Sequence, residues 1–151
     1  MEIFEELVEG AKEELKRADH SIYVSLKYTR TVDIIKNTIK RLISAFDITI
    51  IWALEYLKKT KKISDIPPVS RKRAQLLASS FPVLKKEIEF YNLMRDIDLA
   101  TFTRKEEYRK NVALVTKIND KPLEVNVEIL KKYFDRTVIF VDTVHTMLEK
   151  K

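Results

Sequence analysis

The sequence predicts a mainly all-α, single-domain bundle of about five helices, with a small β-hairpin before the C-terminal helix. Three observations carry this. Apolar residues recur at steps of three and four along most of the chain. That rhythm switches once, over residues 112–118, to strict alternation. Breakers are scarce: one glycine and four prolines in 151 residues. No internal repeat or composition shift divides the chain, so 1–151 is expected to be one domain.

The first helix is carried by Phe4, Leu7, Ala11, Leu15, Ala18, Ile22 and Leu26, about 3.7 residues per step. It is expected over residues 3–28. Gly10 lies off that stripe and costs about 1 kcal/mol of helix propensity. Thr31 then caps a second helix, because its hydroxyl can accept an unpaired first-turn N–H. Val32, Ile35, Ile39, Leu42, Phe46, Ile50, Ala53 and Leu57 run down this helix, widened by Ile43 and Leu54. At 1.5 Å per residue it is about 40 Å long, the spine of the bundle. Ile48, Ile51, Trp52 and Tyr56 lie off its main stripe. Such a second apolar face is covered either by the chain's own domain or by a second copy, so these four are the candidate interface residues.

Pro67 and Pro68 break the chain after this spine. A short helix follows over 71–80 with Ser70 as its cap, and Pro82 opens another that stays apolar to about Phe102. Thr103 and Glu106 have capping-box spacing, which predicts a new or continued helix there. Alternation over 112–118, the turn chemistry of Asn119-Asp120, and a return through Leu123 and Val125 predict the hairpin. Pro122 confines its second strand to an edge. Val127, Leu130, Phe134, Val138, Val141, His145 and Leu148 complete the set with a last helix.

Composition excludes several chemistries. A single glycine removes the Gly-rich phosphate loops, and the absence of cysteine removes disulfides, thiol nucleophiles and Cys metal sites. No apolar run approaches a membrane span; the longest uncharged one covers residues 48–54. An acidic start without a signal peptide predicts a cytoplasmic protein, and the Lys-, Glu- and Ile-rich, Cys-free composition resembles that of a thermophile. Asp142-x-x-His145 has the spacing of a di-iron ligand pair, but no second pair accompanies it, so neither metal nor cofactor is expected. Asp96 and Asp98 face different sides of a helix, and Asp98 is expected to pair with Arg95. His20 is expected to be solvated.

Charge supplies the candidate binding residues. Lys+Arg 29 against Asp+Glu 23 gives +6, and the pI is near 9.4. Lys58, Lys59, Lys61, Lys62, Arg71, Lys72 and Arg73, opposed only by Asp65, carry seven minus one, a surplus equal to that of the whole chain. Such a patch can hold a phosphate backbone, though no aromatic is interleaved for stacking; its plainer reading is a solvated loop. A second set is Arg104, Tyr108, Arg109 and Asn111. If helical, Arg104, Tyr108 and Asn111 share a face that can grip a phosphate and a base. The plainer reading is a surface helix held by Glu106 and Lys110.

Helical architecture and this segment together resemble the HEPN domain family, whose hallmark is an Arg and a later His with four to six residues between them. Here Arg104 and Asn111 have six residues between them, with Asn in place of His. The resemblance implies a homodimeric RNA- or nucleotide-binding domain. Active members are metal-independent RNases, in which Arg104 would stabilise developing phosphoryl charge. Asn111 cannot exchange a proton, so binding without efficient catalysis is the expectation. The competing reading is a protein-interaction or dimerisation module acting through Ile48, Ile51, Trp52 and Tyr56.

Overall fold

The computed structural model describes residues 2–149. Five helices and one small sheet follow the order anticipated from the sequence, with one added strand. Helix α1 covers 2–28 in three parts: α-helical over Glu2–His20, π-helical over Ser21–Ser25, and α-helical again over Leu26–Tyr28. Ala18, Ile22 and Leu26 are all buried, each four residues after the last. Successive steps of four drift off the face of a 3.6-residue helix. The wider π turn absorbs that drift and keeps all three pointing inward.

Helix α2, Val32–Lys59, is the spine. Thr31 caps it as expected, its hydroxyl accepting the Ile34 N–H at 3.4 Å. Every residue of its expected stripe is buried, and so are Thr38, Ala45, Thr49, Trp52 and Leu54. A helix buried on most of its circumference needs neighbours on several sides. Helix α1 lies along one, where a methyl added at Gly10 would stand 3.6 Å from Ile48 Cδ1.

Helix α3, Ser70–Ser80, follows the proline break. Ser70 is its first residue and not its cap: Val69 holds the capping position, and Ser70 Oγ instead accepts from Arg73. Pro82 opens a single 3-10 turn, Pro82–Leu84, that leads into α4, Lys85–Leu99. Ala100 is extended and ends that helix before Phe102. Helix α5, Val127–Glu149, closes the bundle. Its buried face runs through Leu130, Tyr133, Thr137, Phe140, Val141, Val144 and Leu148. Phe134, Val138 and His145, expected on that face, are half-buried beside it. Phe46 stacks on Phe140 at 4.1 Å and meets Phe90 edge-on at 5.9 Å, which joins α2, α4 and α5 at one point.

The sheet is antiparallel in the order β1-β2-β3, with β1 Phe102–Lys105, β2 Ala113–Ile118 and β3 Lys121–Asn126. Asn119 and Asp120 both have positive φ (53° and 64°) between the paired Ile118 and Lys121, a two-residue type I′ turn made without glycine. The helix anticipated from Thr103 and Glu106 does not form. Thr103 pairs with Val115 and Arg104 with Leu114 in a third strand, and Glu106 and Tyr108 take positive φ in the turn that follows. Pairing with an existing hairpin satisfies the backbone more fully than a capping box at the start of so short a helix.

Candidate nucleic-acid interface

The turn between β1 and β2, residues 106–112, docks on the link between α1 and α2. Tyr108 N–H donates to the Arg30 carbonyl at 2.6 Å. Glu107 Oε2 accepts the Val32 N–H at 3.0 Å, so a side chain from this turn helps to cap α2. Arg104 is committed to the same junction. Its guanidinium lies 2.9 Å from Asp33 and 3.4 Å from Glu107. The hydrogen bond to Asp33 holds its pKa above the usual arginine range.

Strand and turn geometry therefore split the set expected to share a helical face. Arg104 is turned into ion pairs, whereas Lys110 and Asn111 line a pocket of about 390 Å³. Its other walls are Ile22, Tyr23, Leu26 and Lys27 from α1, Arg30 from the link, and Asn126, Val127, Glu128 and Lys131 from the start of α5. Four cations face one carboxylate there, and Lys131 already lies 3.5 Å from that Glu128. The π-helical segment contributes Ile22 to the pocket floor and Tyr23 to its wall. Tyr23 carries the Lys131 ammonium over its ring at 5.4 Å.

Two exposed tyrosines adjoin its lining residues in the chain, Tyr28 next to Lys27 and Tyr108 two residues before Lys110. Tyr108 is 75% exposed and Tyr28, at the end of α1, is 81% exposed. Arg109 is exposed beside Tyr108. One pole of the bundle thus holds Tyr23 with Lys27, Arg30, Lys110 and Lys131 in the pocket, and Tyr28, Tyr108 and Arg109 on the adjoining segments, with the Tyr108 backbone bonded to Arg30. Sequence reasoning named Tyr108, Arg109 and Asn111 but missed Tyr23, Lys27, Tyr28, Arg30 and Lys131. Those five come from α1, the link after it and α5, with Lys131 more than 100 residues beyond the others.

The basic cluster of 58–73 is elsewhere, and its two arginines are engaged within the fold. Lys58 and Lys59 end α2, with Lys61 and Lys62 just beyond, so they lie about 40 Å along that helix from Val32. The loop then doubles back. Arg71 reaches Asp96 on α4 at 2.7 Å. Arg73 donates to the carbonyls of Pro67 (3.3 Å) and Pro68 (2.8 Å) and to Ser70 Oγ. These two arginines brace the loop, and Lys72 between them is exposed.

A polar cluster absent from the sequence reading lies between α2 and α4. The buried Tyr91 hydroxyl donates to Asp47, and Arg95 donates to that hydroxyl at 3.3 Å. Burial pushes the pKa of both Asp47 and Tyr91 upward, with the shared hydrogen bond opposing the shift at Asp47 and adding to it at Tyr91. The expected Arg95–Asp98 pair does not form: Arg95 faces Asp47, and Asp98 pairs with Lys40 at 2.9 Å.

The candidate interface residues are largely covered by the chain itself. Trp52 is 4% exposed, edge-on to Phe4 and to His145, while Ile48, Ile51 and Tyr56 are half-buried. No group of three or more His, Asp or Glu side chains disposed to hold a metal ion occurs among the described residues. Among the described residues no helix is long and apolar enough to cross a membrane. Compared with protein-family models, with curated proteins and with solved structures, the chain matches none.

Proposed function

We propose that this protein binds single-stranded RNA or a nucleotide at the tyrosine- and cation-bearing pole, without catalysis by Arg104. The observation that carries the reading is a concave pocket lined by Tyr23 with Lys27, Arg30, Lys110 and Lys131, with the exposed Tyr28, Tyr108 and Arg109 on the segments that supply those residues. Exposed rings offer stacking faces to any base, and the cations neutralise the phosphates between them. The Asn111 amide offers a donor and an acceptor to a base edge, and Asn126 offers its NH2 group while its Oδ1 accepts the Ile129 N–H at 2.8 Å. The resemblance to the HEPN family, whose inactive members include RNA-binding ones, points the same way. Arg104 holds Asp33 and Glu107, so its role here is to position the turn that carries Tyr108.

The test is fluorescence anisotropy of a labelled single-stranded RNA at low and physiological salt in EDTA, with the RNA run on a gel afterwards. Binding is expected to weaken steeply with salt. Lys27→Glu with Lys110→Glu should weaken it and lower the salt slope by about one per lost phosphate contact. Lys61→Glu with Lys62→Glu, at the far end of α2, should leave it nearly unchanged. No binding at low salt, or equal loss from both pairs, overturns the assignment to this pole. Cleavage in EDTA that disappears with Arg104→Ala would restore Arg104 as a catalytic residue.

A further inference from the structure

A second concavity lies far from that pole, where the start of α1 crosses the ends of α2 and α5. It measures about 540 Å³ and is lined by Phe4, Glu5, Val8, Glu9, Trp52, Tyr56, Lys59 and Glu149. Its walls are aromatic. Phe4 meets Trp52 edge-on at 6.4 Å, and Tyr56 stacks on Trp52 at 6.2 Å. Its rim is acidic: three carboxylates against one ammonium among the described lining residues. Lys59 places its ammonium 5.4 Å from the Phe4 ring centre, so a cation already uses one of these π faces.

The polar edge of the inner wall is unsatisfied. Trp52 is buried, yet its Nε1–H has no hydrogen-bond partner among the described residues, and neither does His145 Nε2 on the ring packed 4.6 Å behind it. An ammonium has no lone pair to accept from that N–H, so the rings and the carboxylates alone select the ligand. The three carboxylates disfavour an anion, and so the phosphate chemistry of the other pole does not transfer here. Aromatic faces and carboxylates together select a positive charge on an apolar body.

We propose that this pocket is a separate binding site for a small organic cation, an ammonium carrying an aryl or alkyl group. The apolar body packs against Phe4, Val8 and Trp52, and the ammonium faces the Phe4 and Tyr56 rings with Glu5 and Glu9 beside it. The site does not depend on the nucleic-acid reading, because no residue is shared between the two pockets.

Trp52 is the chain's one tryptophan, so its emission reports this wall directly. The experiment titrates benzyltrimethylammonium into the full chain and follows that emission, with benzyl alcohol and phenylacetate as the neutral and anionic counterparts. A saturable change is expected with the cation, about fivefold weaker affinity with the alcohol, and none with the carboxylate. Glu5→Gln with Glu9→Gln should weaken binding of the cation about fivefold while leaving the circular dichroism spectrum unchanged. The proposal is overturned by an absent or non-saturating response to the cation. Equal affinity for cation and alcohol, or an unaltered affinity in the folded double variant, overturns it as well.

Discussion

Glu107 and Val32 are 75 positions apart, yet the carboxylate of one accepts the backbone N–H of the other at 3.0 Å. This bond closes the first turn of the bundle's longest helix with a side chain from the sheet's first turn. It also fixes where Tyr108 stands, because the next residue's N–H is held by Arg30. Cap, turn and exposed tyrosine therefore form one unit.

Removing that carboxylate should be felt in both roles. Glu107→Ala is expected to lower stability by about 1 kcal/mol, the usual cost of a lost helix-capping acceptor. It should also reduce RNA affinity by loosening Tyr108. Glu107→Gln keeps an acceptor and should recover most of the stability. Urea denaturation of the three proteins decides this; an Ala variant as stable as the parent would mean that water replaces the cap.

Tyr91→Phe tests the buried polar cluster. Losing the hydroxyl strips Asp47 of its buried donor and leaves Arg95 as its nearest partner, at 3.7 Å. A loss of about 1–3 kcal/mol is expected, the desolvation penalty of an acceptor left without its bond. A double-mutant cycle with Asp47→Asn should give a coupling of comparable size, and independent effects would show that the contact contributes little.

Gly10 offers a change in the opposite direction. It sits mid-helix, and an added methyl would meet only Ile48, at 3.6 and 3.8 Å, which is ordinary van der Waals contact. Gly10→Ala should therefore raise stability by about 0.5–1 kcal/mol. A lowered melting temperature would show that α1 cannot accept even this contact.

His145 sets an acid limit. Burial against Trp52 lowers its pKa below 6.5; Glu149 and Asp142 oppose this, and Lys12 adds to it. A depressed folded value means that the unfolded chain binds the proton more readily. The contribution of His145 is therefore full above pH 6.5 and is lost as pH falls through the folded value. Denaturation at pH 7.5 and pH 5 should show a drop that His145→Gln reduces, with Trp52 emission changing over the same range. An identical pH dependence in the variant would assign the drop to other groups.

Much of the fold was legible because it is local. Steps of three and four placed the stripe of α2 on the buried side without error. Pro67-Pro68 marked the break, and Asn119-Asp120 supplied the two positive-φ residues that a tight hairpin needs. The segment from Phe102 to Asn111 departs from its helical expectation for the same reason: Thr103, Glu106 and Lys110 satisfy local helix rules, while the structure pairs 102–105 with β2. Phe102 and Thr103, both strand formers next to an expected hairpin, were the available signal.

By itself, then, the sequence determined the helical class, the phase of the spine and the positions of the breaks, since each depends on neighbours within a few residues. Only the tertiary structure decided that Arg104 faces Asp33 and Glu107, that Arg71 and Arg73 brace a loop, and that Tyr23 and Lys27 stand beside Lys110 and Lys131. Periodicity states which side of an element is buried. Which element ends meet depends on how the elements pack, and at this bundle's tyrosine pole that packing gathers the candidate site.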